Sequence, residues 1–247
     1  MKIGIIVQAR MGSTRLSGKV LKKIKDKTIL EHVTERLKQS KYANKLIIAT
    51  TTNAEDDKIE KEAQVLETEI YRGSESDVLS RYYYAAKEHH LDTVIRVTSD
   101  CPLIDPQILD DMIEVYLENN YDVVTNVGME SLDRTFPRGL DIEIFSFITL
   151  EEAFQNAKEK YQKEHVTPYI YENSNKVFNF KNEIDYSDYR WTVDTPQDFE
   201  LISIIYDYLY NGSHDFYLNE IIDLFIKHPE LYDINSMVEQ KKIKDVE

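Results

Sequence analysis

The chain has 247 residues, room for one large α/β domain or two small ones, and its 45 acids against 30 bases give a formal charge of −15, a field that repels nucleic-acid and lipid phosphates. One cysteine, Cys101, excludes an intrachain disulfide and suits a reducing compartment. No apolar run approaches the roughly 20 residues that span a bilayer, and MKIGIIVQAR lacks a signal-peptide pattern, so the expectation is a cytoplasmic protein with no nucleic-acid or membrane partner.

Ile3–Ala9 is a short apolar, β-branched run of the kind covered on both faces of a sheet. A glycine-bearing loop follows, then TILEHVTERLKQS, where Ile29, Leu30, Val33 and Leu37 fall at helical spacing. KLIIATT reads as a strand, and NAEDDKIEKEAQVL as a helix with Asn53 as its N-cap. After a short EIYRG, SDVLSRYYYAAKEHH is helical; Tyr82, Tyr83 and Tyr84 span several faces, so at most part of that run is core. DTVIRVTSD is a strand ending at Asp100, DPQILDDMIEVYLENN a helix capped by Asp105 with Pro106 first, and YDVVTNV a further strand. Strand–helix alternation to this point predicts a mainly parallel sheet with helices on both faces.

From Arg134 the pattern loosens. RGLDIEIFSF is a strand by alternation, TLEEAFQNAKEKYQKEHVTPYIYENS is helical with a break at Pro168, and KVFNFKNE and YRWTVD are strands. TPQDFELISIIYDYLY is a helix capped by Thr195; beyond Asn211 come one more helical stretch and a frayed KKIKDVE. There is no repeat or linker, which favours one domain.

Four places could carry chemistry. The loop VQARMGSTRLSGKVL gathers Arg10, Arg15 and Lys19 around Gly12, Ser13 and Gly18, with no acid among them. At the carboxyl end of a parallel strand such a loop can hold phosphates, since glycine lets backbone N–H groups approach and arginine adds fork contacts. It is neither GxGxxG nor GxxxxGK[ST], and a solvated basic turn is the competing reading. Asp100 and Asp194 each end a predicted strand and precede a turn or helix, so they could share a hard divalent cation, or merely cap the next turn or helix. Arg134, Arg138, Asp141, Glu143 and His165 form a mixed polar set; Asp141 and Glu143 share one strand face, which suits sugar hydroxyls or plain solvent. Asp198 reads as a partner of a helix dipole, and Trp191 as core or wall.

The segments IGIIVQARMGSTRLSGKVLKKI, RGSESDVLSRYY, RVTSDCPLIDP, PRGLDIEIFSF, EHVTPY and RWTVDTPQDF, in that order, resemble the sugar cytidylyltransferases. These enzymes make CMP-activated octulosonate and sialate; the similarity is greatest to the branch of spore-coat polysaccharide biosynthesis protein F. The resemblance runs from about Lys2 to Leu209. Ser17 stands where the octulosonate enzymes commonly have proline.

This resemblance implies a single-domain three-layer αβα sandwich with a mainly parallel, Rossmann-like mixed sheet. The nucleotide part would cover about 1–130, the sugar and dimer part about 131–190, and a closing metal strand with C-terminal helices the rest. It implies transfer of CMP from CTP to a sugar acid of 2-keto-3-deoxy type, with pyrophosphate released, for surface or spore-coat polysaccharide. Arg10, Ser13, Arg15 and Lys19 would hold the triphosphate, Ala9 and Gly12 would bind the nucleotide with them, and Arg72, Gly73, Asp77 and Arg81 would line the nucleotide pocket. Arg10, Lys19, Asp100 and Asp194 would be catalytic, with Mg²⁺ on the two aspartates; Arg138, Asp141, Glu143 and His165 would face an anionic sugar acid or sugar phosphate. A homodimer is implied by the same analogy.

Two other enzyme classes stay open. A glycosyltransferase using an NDP-sugar often carries Asp-x-Asp, whereas Asp100 is followed by Cys101 and Pro102. Sugar-phosphate nucleotidylyltransferases for other bases usually open with a run like LAGGxGxRM, which this chain lacks.

Overall fold

The apolar opening becomes strand β1, Ile3–Gln8, at the centre of a sheet in the computed structural model, which describes residues 1–127 and 134–240. Its side chains alternate between two cores. Ile3, Ile5 and Val7 join one cluster and Ile6 the other. Gly4 packs against Leu91: a Cβ there would sit 2.5 Å from Leu91 Cδ1, so any larger residue would force the Leu91 side chain to shift.

Around β1 lie β4 (Lys45–Thr51), β5 (Glu69–Gly73), β6 (Thr93–Thr98), β7 (Val123–Thr125), β8 (Glu143–Ser146) and β9 (Val177–Asn179), ordered β5-β4-β1-β6-β8-β7-β9. Only β8 runs against its neighbours, antiparallel to both β6 and β7; the other pairings are parallel. Strands β2 (Lys23–Ile24) and β3 (Lys27–Thr28) form a separate small hairpin after the loop.

Helices α1 (Ile29–Leu37), α2 (Asp57–Val65), α4 (Pro106–Glu118), α8 (Pro196–Leu209) and α9 (Leu218–Lys227) supply apolar side chains to the Ile5 cluster. Helices α3 (Val78–Glu88), α5 (Phe147–Asn156) and α7 (Pro168–Asn173) supply the Ile6 cluster, and α6 (Lys160–His165) packs on α3. The expected three layers with a mixed, mainly parallel sheet are therefore present. Arg36 on α1 is fully buried and donates to the carbonyls of Ile104 and Phe216, tying the turn after β6 to the segment before α9. Two of the expected caps are present: Asp105 accepts from Gln107 N–H, and Thr195 with Asp198 makes a reciprocal box; Thr28 also caps α1, accepting from Glu31 N–H.

Several elements differ from expectation. Asn53 makes no side-chain cap; a 3₁₀ turn, Ala54–Asp56, precedes α2, and Asn53 Nδ2 donates to Glu75 instead. RGLDIEIFSF is a strand only over Glu143–Ser146, because Ser146 caps α5, which starts at Phe147. The long helical reading after it is three short helices; the expected break at Pro168 is present, since α6 ends at His165 and Pro168 opens α7. YRWTVD is not a strand beyond one bridge, Arg138 with Arg190. Of the tyrosine run, Tyr82 and Tyr83 are buried and Tyr84 is exposed. KKIKDVE lies outside the described residues. Among the described residues, no helix is long and apolar enough to cross a membrane.

Candidate active site

The carboxyl ends of β1 and β6 open into a cleft of about 760 Å³, a size usual for small-molecule sites. The loop after β1 forms one wall. Its first turn is fixed from outside: the Met11 amide donates to Asp56 Oδ1 at 2.7 Å, and the amides of Ser13 and Gly18 both donate to the Met11 carbonyl. Gly18, at φ 62°, turns the chain into the 3₁₀ turn Lys19–Leu21. Arg10, Gly12, Ser13, Arg15 and Lys19 all line the cleft. Arg10 is loosely engaged, 3.4 Å from Glu75, with both side chains nearly half exposed.

At the cleft floor Lys19 Nζ lies 2.8 Å from Asp100 Oδ2 and 2.7 Å from Asp194 Oδ1. Two aspartates 94 positions apart in sequence thus converge on one cation. Backbone bonds bring them together: the Val193 amide donates to the Asp100 carbonyl at 2.8 Å, and the Trp191 amide to the Arg138 carbonyl at 2.6 Å. Gly139, at φ 102°, allows that approach; a Cβ there would stand 2.6 Å from Thr192 N. Asp194 Oδ2 also meets Arg15 at 2.8 Å and Arg190 at 2.7 Å, and Arg190 is itself anchored on buried Asp198. Asp100 Oδ1 accepts from Thr98 Oγ1 at 2.6 Å.

Burial works against the charge on Asp100, but Lys19 and the Thr98 hydroxyl outweigh it and hold the carboxyl down at about 2. Burial also works against the Lys19 ammonium, and the two aspartates reverse this and raise its pKa. Asp100 and Lys19 are therefore both ionised at neutral pH. A pair of carboxylates around a single positive charge is the donor set that Mg²⁺ shares with phosphate oxygens and water. The residues present fit that ion.

A family model described as cytidylyltransferase matches residues 4–243. The chain belongs to the cytidylyltransferase family. A cytidylyltransferase from Leptospira borgpetersenii serovar Hardjo-bovis superposes with a TM-score of 0.89 at 39% identity, covering 98% of this chain and 99% of that one. Spore coat polysaccharide biosynthesis protein SpsF of Bacillus subtilis is 30% identical over 91% of this chain and 94% of its own length. A CMP:2-keto-3-deoxy-manno-octonic acid synthetase, solved with CTP, shares the fold at TM-score 0.66 and 19% identity, covering 84% of this chain and 99% of that one.

In this cytidylyltransferase the cleft gathers Ala9 and the loop residues, Asp77, Arg81, Asp100, Asp194 and His165. Asp77 caps α3 through Ser80 N–H, and buried Arg81 donates to the Ser74 carbonyl, which fixes the wall facing the loop. Arg72 and Gly73 do not reach the cleft. Arg72 is held by Asp57 and Glu60 and by the carbonyls of Thr51 and Asn53, so it braces β5 on α2. Nor do three of the four residues expected to face the sugar line it. Glu143 is buried in an ion pair with Arg96, its cross-strand neighbour, Asp141 pairs with Arg134, and Arg138, whose backbone bridges to Arg190, is absent from the lining.

Sequence reasoning missed three contributors. Arg190 lies four residues before Asp194, a spacing that could have flagged the pair. Lys160 and Lys163 line the cleft from one side of α6, and their i,i+3 spacing just before His165 was the available signal. For Glu143, the clue was Arg96 inside an apolar strand, which demands a counter-charge.

Proposed function

We propose that the protein transfers CMP from CTP to a sugar acid of 2-keto-3-deoxy type, releasing pyrophosphate, in the synthesis of a surface polysaccharide. The observation that carries this reading is Lys19 held between Asp100 and Asp194 at the foot of a loop bearing Arg10 and Arg15. The CTP held by a synthetase of the same fold and the polysaccharide role in the name of SpsF support it.

In the reaction a sugar hydroxyl oxygen bonds to the α-phosphorus of CTP, the bridge to the β-phosphate breaks, and pyrophosphate leaves with that electron pair. The hydroxyl proton passes to solvent. Such transfers need positioning and charge neutralisation more than a strong base. Arg10, Arg15 and Lys19 meet the β- and γ-phosphates, where charge builds on the leaving group. Backbone N–H groups of the glycine loop orient the same phosphates. Asp100 and Asp194 would hold Mg²⁺, which when bound lowers the pKa of the hydroxyl and polarises the α-phosphate. Positive charge concentrated in one loop of an acidic protein focuses a single polyanion on one cleft.

The test is pyrophosphate release with Mg²⁺, comparing CTP, UTP, GTP and ATP against 2-keto-3-deoxy sugar acids and sugar phosphates. Release with CTP and a sugar acid is expected; release with another base, or with sugar phosphates alone, refutes the reading.

A further inference from the structure

Val166, directly after α6, has φ 71° and ψ −57°, and the Thr167 amide donates to the His165 carbonyl at 2.9 Å. This is a γ-turn in its rare positive-φ form, and a β-branched residue is an outlier there. Strain of this kind persists only where the surroundings over-determine it, and it gathers at functional sites. Here the surroundings are specific. Val166 is fully buried among α3, α5 and α7 side chains. Thr167 Oγ1 donates to Glu143 Oε1 at 2.7 Å, the Tyr171 hydroxyl donates to the same oxygen, and Arg96 neutralises Oε2. Glu143 therefore pins the turn to the sheet.

The turn holds α6 against the cleft. Lys160, Lys163, Glu164 and His165 all line it, as do the cations of the β1 loop. Lys160 and Lys163 have no ion-pair partner among the described residues, whereas Arg15 and Lys19, which line the same cleft, are bound to aspartate. Two ammonium groups without an ion pair among the described residues, lining one cleft with an imidazole, suit a carboxylate flanked by hydroxyls.

We propose that Lys160, Lys163 and His165 form the acceptor subsite, the lysines taking the sugar carboxylate, and that Glu143 and Thr167 position it by holding the strained turn at Val166. This rests on the cytidylyl-transfer reading and says which residues meet the sugar acid. Glu143, expected from the sequence to touch sugar, acts instead through Thr167.

The test uses the full chain and calorimetry. CTP is titrated first; 3-deoxy-manno-octulosonate is then titrated as the probe with α,β-methylene-CTP and Mg²⁺ present. The proteins are wild type, the double variant Lys160→Met/Lys163→Met, Thr167→Val and Thr167→Ser. Octulosonate affinity falls at least tenfold in the double variant and in Thr167→Val, CTP affinity stays within twofold, and Thr167→Ser, which keeps the hydroxyl, restores sugar binding. A merely structural Thr167 would lower the melting temperature and leave the ratio of the two affinities unchanged. Equal octulosonate affinity in all four proteins overturns the proposal, as does a wild type that binds CTP but no octulosonate; both leave cytidylyl transfer standing. A wild type that binds no CTP removes the reading on which the proposal rests.

Discussion

Replacing Lys19 by methionine keeps the side-chain volume and removes the one charge shared by Asp100 and Asp194. Removing one partner from a buried ion pair costs about 3–5 kcal/mol. The site is not fully dry: Lys19, Asp100 and Asp194 keep 11%, 22% and 15% side-chain exposure, and Arg15 and Arg190 stay on Asp194. The expected loss in the nucleotide-free protein is therefore about 2–3 kcal/mol. At about 2–4 °C per kcal/mol for a chain of this size, melting falls by about 4–12 °C.

The pH dependence has a definite sign. In the wild type Asp100 sits at about 2, below the ordinary 3.8, so its stabilising share is complete above the ordinary value and is lost as pH falls toward 2. Without Lys19, burial dominates and lifts that carboxyl above its unfolded value. The folded variant then binds more protons than the unfolded chain, so the variant loses stability as pH rises. Its deficit is larger at about pH 8 than at about pH 4.5, and Mg²⁺ recovers part of it by replacing the lost charge. Losing a charge-assisted bond to phosphate, about 1.5–3 kcal/mol, lowers kcat/KM for CTP by about 10- to 150-fold. Thermal melts at the two pH values, with EDTA or Mg²⁺, and initial rates with CTP varied measure all of this. A variant that melts within about 1 °C of wild type at the higher pH, beyond the reach of any 2 kcal/mol loss, refutes the reasoning.

Asp100→Asn and Asp194→Asn should each lower turnover by about two to three orders of magnitude, the usual size of losing an electrostatic contact made in the transition state, while circular dichroism stays that of wild type. Near-normal turnover in either removes that aspartate from the chemistry. Far from the cleft, His32 Nδ1 faces His214 Nε2 at 2.9 Å in a buried pair. Burial and nearby Arg36 push His214 from 6.5 to about 3, outweighing the half-solvated Glu35 carboxylate at 3.3 Å, which Lys27 already neutralises. Between those values the unfolded chain binds the extra proton, so stability drops as pH falls, by about 1.4 kcal/mol per unit for this one group. Urea midpoints across the range should show the slope in wild type and lose it in His214→Gln; parallel profiles count against the buried neutral histidine.

Much of the fold could be read from order along the chain. The runs at β1, β4 and β6 have apolar centres because both faces of a central parallel strand are covered, and Asp105 and Thr195 mark helix starts by local hydrogen bonds. The weaker readings fall between Arg134 and Asp194. There β8 reverses, three short helices replace one, and the segment bearing Asp194 has a single bridge to its neighbour. Those features depend on partners distant in sequence, so period and propensity within a window carry little trace of them.

By itself the sequence determined the chemistry on offer: a glycine loop with three cations, two aspartates at the ends of extended segments, and an acidic remainder that makes the loop stand out. Tertiary structure alone decided which of these groups meet. Lys19 reaches aspartates 81 and 175 positions away because the Asp100 carbonyl accepts from Val193 and draws the two segments together. Glu143 has the alternation of a solvent-facing acid, yet it is buried because Arg96 stands opposite it across the strand pair. A charge can be read from one residue; its burial and its partner depend on where the rest of the chain packs, and these set whether it binds substrate or holds the frame.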